Sequence, residues 1–246
     1  MMPLVFLHGW GQSARAWHHQ TARWPDATFL DLPGHGGTDD IAAEQWIGHL
    51  AAQLPESPCL LVGWSLGGML AMQLAHTYPE KVAALALIAT TPRFTATEGW
   101  PHGCAPSLLD NFGQGVASQS ARTMSRFFAL MFHGDGLPRN SFNTIARAAV
   151  DRDNPPTRPG LEAGLSLLAT LDLRAGAAEI DQPALVMHGS DDAVVPVGAG
   201  EWLARTLPNA TLHRFERCGH APFLSQPESF QHILEAWCQN ISVHGR

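Results

Sequence analysis

The stretch Cys59-Leu60-Leu61-Val62-Gly63-Trp64-Ser65-Leu66-Gly67-Gly68-Met69-Leu70-Ala71-Met72-Gln73-Leu74-Ala75 decides the fold. Its first four residues are apolar and β-prone, and Gly68 to Ala75 holds good helix formers with no breaker. Between them stands Gly63-x-Ser65-x-Gly67, the spacing of a nucleophile elbow, in which a buried strand turns sharply into a helix. Such a turn strains the serine backbone and raises its hydroxyl above the sheet edge. Glycines at either side leave room for the turn and for close approach of helix to strand. The first turn of the helix also aims free N–H groups at any oxyanion that develops there. The five-residue pattern alone is common; its strand–helix frame gives it weight.

Outward from the elbow, apolar strands alternate with helical segments. Pro3 to Leu7, Thr28 to Leu30 and Val82 to Ala89 read as strands, while about Gln12 to Trp24 and Ile41 to Leu54 read as helices. The rhythm stops from about Pro92 to Ala178, where only helical patches are expected, at Ala117–Phe132, Asn140–Val150 and Gly160–Leu171. It resumes with strands at Pro183–His188 and Ala210–Phe215 and helices near Gly198–Thr206 and Pro227–Gln239. This predicts an α/β fold, a mostly parallel doubly wound sheet with a helical lid inserted between its two halves. The expected division is a core of residues 1–91 and 179–246 and a lid of 92–178.

Composition narrows the function. With 246 residues, 45% of them hydrophobic and 15% charged, the chain can bury a sizeable core. A net charge of −7 argues against nucleic-acid binding. The four cysteines lack metal or C-x-x-C spacing, so reduced thiols are expected. Met1 to Leu7 has no basic region and meets His8 too soon for a signal peptide, and no apolar run is long enough to span a membrane, so a cytoplasmic location is expected. His18 and His19 could be called a metal pair, but adjacent helical residues point apart, and no metal is expected.

A serine hydroxyl is a poor nucleophile at neutral pH and needs a base within hydrogen-bond reach, oriented in turn by a carboxylate. With an elbow of this kind the chain order is serine, carboxylate, histidine. Gly189-Ser190-Asp191-Asp192 follows a strand directly, which places a carboxylate at the sheet edge where the elbow lies, and His220 follows the last strand. Asp191 and Asp192 compete for the orienting role, and the spacing Gly189-x-x-Asp192-x-x-x-Pro196, a pattern associated with this fold, favours Asp192. The expected oxyanion donors are the backbone N–H groups of Leu66 and of Trp10, in the loop after the first strand. His8 is expected to brace that loop, and His35 to serve turn chemistry.

These motifs, in this order over nearly the whole chain, resemble the α/β-hydrolase superfamily. A closer resemblance, to the biotin-pathway carboxylesterases, is carried by His8-Gly9-Trp10-Gly11, Gly63-Trp64-Ser65-Leu66-Gly67-Gly68, Trp100-Pro101, Arg126-Phe127-Phe128-Ala129-Leu130 and His220-Ala221-Pro222-Phe223. The resemblance implies hydrolysis of the methyl ester of pimeloyl-acyl-carrier protein through an acyl-serine, without cofactor. It makes Ser65, Asp192 and His220 the triad, with Trp10, Leu66 and the segment Phe127, Phe128, Ala129, Leu130 and Met131 holding substrate. The same scaffold also serves short-chain esterases and lactone or C–C hydrolases, and an inert binding relic would lack a triad member. That family usually opens with a further hairpin before the His-Gly strand, so a shorter sheet is expected at one edge. Met131 and Phe132 are bulkier and more apolar than the polar residues expected at their positions.

Between Asn111 and Val150 stand Arg122, Arg126, Arg139 and Arg147 against a single acid, Asp135. Arg122 and Arg126 share a helix face, and Phe127 and Met131 lie about 100–180° around it. One face can therefore meet an anion while the other lines an apolar tunnel. The partner expected from the family is acidic acyl-carrier protein, steered by this basic lid, with the chain acting as a monomer and no nucleic acid or membrane involved.

Overall fold

Six apolar runs become strands in the computed structural model, which describes residues 2–244, with side chains as far as Ile241. They are β1 (Leu4–Leu7), β2 (Thr28–Leu30), β3 (Cys59–Trp64), β4 (Val82–Ile88), β5 (Ala184–Gly189) and β6 (Ala210–Phe215). All pair in parallel, in the order β2-β1-β3-β4-β5-β6. A parallel sheet covered on both faces needs strands that are apolar throughout. Accordingly β3 and β5 are buried at every residue, and only the edge strands β2 and β6 are substantially exposed. The sheet ends at β2, a strand of three residues.

The helices are α1 (His18–Arg23), α2 (Trp46–Gln53), α3 (Leu66–Thr77), α4 (Pro106–Met131), α5 (Arg139–Ala149), α6 (Arg158–Thr170), α7 (Val197–Thr206), α8 (Pro222–Ser225) and α9 (Pro227–His244). α3 follows the elbow and packs on β1, β3 and β4. It is apolar nearly all round, as a helix buried on every side must be. Gly67 and Gly68 allow this approach: a Cβ on Gly67 would lie 2.5 Å from His8 O, and one on Gly68 2.6 Å from the Thr90 side chain. Among the described residues no helix is long and apolar enough to cross a membrane.

Helices α4, α5 and α6 occupy the connection between β4 and β5. Its two ends are stitched together: Leu173 N–H donates to Pro92 O at 2.8 Å, and Asp172 receives Arg93 and Arg174 at 2.7 Å each. α5 and α6 lie where the patterning put them. α4 begins well before the Ala117 expected and bends at Gln119 (φ −151°, ψ 65°). Gly113 and Gly115 and the polar run around them concealed its first half.

The switch point of the sheet lies between β1 and β3, where the chain, having gone from β1 to β2, crosses to the other side of β1. Leu7 pairs with Gly63 there. The loop after β1 and the elbow after β3 therefore emerge side by side, and the loops after β5 and β6 open on the same rim.

Candidate active site

Ser65 adopts φ 55° and ψ −119°, the strained conformation that the elbow demands. The strain is held by packing and hydrogen bonds. Ser65 N–H donates to Ile88 O at 2.9 Å, and its carbonyl accepts from Thr90 Oγ1 at 2.7 Å and from Gly68 N–H at 2.9 Å. A Cβ on Gly63 would lie 2.6 Å from Gly68 Cα, so only glycine fits there. Gly9, from the loop after β1, comes so near that its Cβ would stand 3.2 Å from Ser65 Cβ. Trp10 and Leu66 thus flank the serine. Their backbone N–H groups make no hydrogen bond among the described residues, as oxyanion donors require.

The carboxylate and the imidazole come together. His220 Nδ1 donates to Asp192 Oδ2 at 2.8 Å, and both side chains are wholly buried. The other carboxylate oxygen accepts from the N–H groups of Val194 (2.8 Å) and Val195 (2.9 Å). Burial would raise the Asp192 carboxyl, but the His220 and His188 rings beside it hold it well below the usual carboxylate range. Asp191 is exposed and accepts from Ser190 Oγ, whereas Asp192 is the aspartate that meets the His220 ring. With Nδ1 as donor, the neutral ring presents Nε2 as an acceptor. Nε2 is buried and takes no partner, Ser65 Oγ included. The backbone of His220 is fixed from two sides: Trp64 Nε1 donates to its carbonyl at 2.8 Å, and its N–H donates to Met131 O at 2.7 Å.

Two of these supports escape a reading of the sequence. His188, at the end of β5, lies 3.3 Å from Asp192 Oδ2 and 2.9 Å from Val195 O, a second ring on the same carboxylate. The signal available was a histidine closing the strand that leads to Asp192. Trp64 sits inside the elbow motif at a position where the pattern allows any residue.

The loop after β1 is laced to the loop after β2 by two buried histidines. Leu32 N–H donates to His8 Nε2 at 3.0 Å, and Gly11 N–H donates to His35 Nε2 at 3.2 Å. The remaining ring nitrogens bond Gly9 O and Pro33 O. Burial lowers each ring to about 4, so both stay neutral acceptors at physiological pH. His8 braces the loop as expected. His35 does more than shape its own turn, since it anchors the residue after Trp10.

The residues expected to hold substrate divide. Phe127 packs edge-on against Trp10, with centroids 5.1 Å apart, and against Phe112. Trp10 Nε1 also donates to Leu161 O in α6 at 2.9 Å, so the loop after β1 is pinned to the helical segment. Phe128 and Ala129 line a cavity of about 590 Å³ between α4, α5 and Gly11–Ser13. Leu130 is half-buried and Met131 fully buried. Ser65 and His220 do not line that cavity. Arg122, Arg126, Arg139 and Arg147 are all exposed on α4 and α5, and none forms an ion pair among the described residues. Arg122 reaches only Gln119, at 3.3 Å.

Among the described residues no cluster of three His, Cys, Asp or Glu side chains could hold a metal ion. The rings of His18 and His19 do not point apart as expected; their centroids lie 4.1 Å from each other at the start of α1, where the preceding 3₁₀ turn ends. Cys59, Cys104 and Cys218 are free thiols.

Against this geometry, the comparisons with known proteins agree with one another. A family model described as alpha/beta hydrolase fold matches residues 2–227. A pimeloyl-[acyl-carrier protein] methyl ester esterase from Aromatoleum aromaticum is 42% identical, covering 94% of this chain and 96% of its own. One of the same name from Nitrosomonas europaea is 39% identical, covering 95% and 94%. Among solved structures, an esterase from Exiguobacterium antarcticum superposes with TM-score 0.85 at 23% identity, covering 97% of this chain and 92% of its own. The enol-lactonase from Burkholderia xenovorans LB400 does so with TM-score 0.81 at 20% identity, covering 97% and 92%. These last two share the fold alone.

Proposed function

The chain belongs to the alpha/beta hydrolase family, and from that premise we propose that it is a serine carboxylesterase that hydrolyses the methyl ester of pimeloyl-acyl-carrier protein in biotin biosynthesis. The observation that carries the mechanism is the buried Asp192–His220 pair at the rim where Ser65 is held at φ 55°. Its relatives over almost their full length are pimeloyl-[acyl-carrier protein] methyl ester esterases. A general short-chain esterase, or a lactone or C–C hydrolase, is not favoured, because the neighbours of that kind share only the fold.

In this reading His220 Nε2 takes the Ser65 proton as Oγ attacks the ester carbonyl. The N–H groups of Trp10 and Leu66 receive the oxyanion, each worth about 10²–10³ in rate. Asp192 keeps the ring in the tautomer with Nε2 free and steadies the imidazolium. The tetrahedral intermediate collapses, its C–OCH₃ bond breaks, and His220 returns the proton to give methanol and an acyl-serine. Water then attacks with His220 again as base. The C–Oγ bond breaks, Ser65 regains its proton, and the free carboxylate leaves on the carrier.

Residues 92–178 form the lid in this account, and residues 1–91 and 179–246 the core. Phe127, Phe128, Ala129, Leu130 and Met131 shape the acyl passage from the lid side. Arg122, Arg126, Arg139 and Arg147 meet the acidic carrier, for which their exposed and unpaired state leaves them free. The enzyme works as a cytoplasmic monomer without cofactor. The test is incubation with the methyl ester of pimeloyl-acyl-carrier protein, read by intact mass of the carrier. Loss of the methyl group with wild type but not with Ser65→Ala is expected. An unchanged carrier mass with wild type would overturn the substrate, and equal hydrolysis by Ser65→Ala the mechanism.

A further inference from the structure

We propose that Asp135 is a positioning residue, which ties the loop bearing His220 to the C-terminal end of the lid helix α4. The inference rests on the reading of His220 as the base. Asp135 follows the turn that ends α4, and its Oδ1 accepts the N–H of Gly219 at 2.6 Å. The next N–H along the chain, that of His220, donates to Met131 O at 2.7 Å. Two successive donors of the base loop are therefore held by the lid, with no strand of the sheet between them.

The packing is as close as the bonds suggest. A Cβ on Gly219 would lie 2.5 Å from Met131 O and 2.9 Å from His133 O. Gly134, at φ +93°, brings the same turn against the acid loop, where its Cβ would stand 2.5 Å from Asp191 Cβ. The turn thus abuts the loops that carry both Asp192 and His220. The second oxygen of Asp135, Oδ2, is buried beside the side chains of Cys218 and Ser225. Burial pushes this carboxyl up, while the Gly219 N–H and the side chains of Cys218 and Ser225 pull the other way. Burying a carboxylate costs free energy, so solvation does not explain the residue; the grip of Oδ1 on Gly219 does. Asp192 fixes how the His220 ring is rotated, and Asp135 fixes where its backbone stands. A misplacement of about 1 Å in such a group can cost about 10² in rate.

The test uses Asp135→Ala, which removes the acceptor, and Asp135→Asn, whose amide oxygen still accepts from Gly219. Turnover of p-nitrophenyl acetate is measured well below the melting midpoints of all variants, with Ser65→Ala as the blank. The small ester makes no use of carrier contacts. For Asp135→Ala we expect kcat to fall about 10–100-fold with KM within about twofold. Asp135→Asn should recover to within about threefold of wild type, a split that a merely stabilising contact would not give. Should Asp135→Ala not fold, Asp135→Leu, similar in size and without an acceptor, takes its place. The inference is overturned if the variant lacking the acceptor keeps kcat within twofold, or if Asp135→Asn falls as far. If wild type is no faster than Ser65→Ala, the functional reading itself fails, and the inference with it.

Discussion

The rim of the sheet and the outer face of α4 and α5 handle polar groups in opposite ways. At the rim Asp192 is fully satisfied by two backbone N–H groups and two imidazoles, while His8 and His35 are buried and neutral. Among the described residues, His220 Nε2, His188 Nδ1 and the N–H groups of Trp10 and Leu66 remain uncommitted there. On the helical face four arginines stand exposed without ion pairs among the described residues, although elsewhere Arg23, Arg93, Arg174 and Arg214 are paired with acids. Chemistry requires preorganised groups shielded from water, where each is worth most. Steering requires charge that reaches into solvent and is weakened by salt. The two regions should therefore fail differently when altered, one irrespective of substrate and salt, the other only where a charged partner is present.

The largest effect is expected at the proposed nucleophile. Ser65→Ala should lower kcat by about 10⁶ on carrier-linked and free methyl esters alike; a loss confined to one of the two would break the separation. Asp192→Asn comes next. It preserves shape but lets the ring adopt the wrong tautomer, and about 10⁴ in kcat is expected, with KM little changed. Steady-state kinetics on a soluble ester reads this, and a change smaller than tenfold would move the orienting role elsewhere.

Acid should weaken the rim before it touches the arginines. His8 and His35 titrate near 6.5 in the unfolded chain and about 4 in the fold. Between these values the unfolded chain binds more protons, so this contribution is complete above pH 6.5 and is lost as pH falls toward 4. Each ring loses on the order of 1.4 kcal/mol for every pH step of one across that window, a few kcal/mol in all. The raised carboxyls of Asp31 and Asp135 work in the opposite direction. Urea midpoints across pH 4–7 should thus rise with pH, and His35→Gln should flatten the slope; a slope unchanged by that substitution contradicts the lacing of the two loops.

The smallest effect sharpens the contrast. Replacing Arg122 and Arg126 together by Ala should reduce kcat/KM for the carrier-linked ester about tenfold, since exposed charges contribute up to about 1 kcal/mol each. The free ester should be unaffected. Raising ionic strength from about 0.05 to about 0.5 M should erase the difference between wild type and variant. Equal slowing of both esters would remove the steering argument.

The elbow, the sheet and the Asp192–His220 pair were legible because local chemistry dictates them. A strand that must turn within one residue needs its glycines, and a parallel sheet delivers the loops after its strands to one rim. Groups recruited across the fold were not legible. His188 and Trp64 act through distances that depend on how β5 and the last loop settle against the elbow. Asp135 reads in the sequence as the lone acid of a basic stretch, and only the fold brings it to Gly219. The first half of α4 was missed for a local reason, since its glycines and polar residues carry no helical period.

The central claim is that Ser65 is the nucleophile activated by the buried pair. It is tested most directly by reacting the protein with a fluorophosphonate and locating the adduct by peptide mass spectrometry. The account predicts one adduct, on Ser65, absent from Ser65→Ala and formed far more slowly by Asp192→Asn. No adduct, an adduct on another residue, or one formed by Asp192→Asn at the wild-type rate would contradict it.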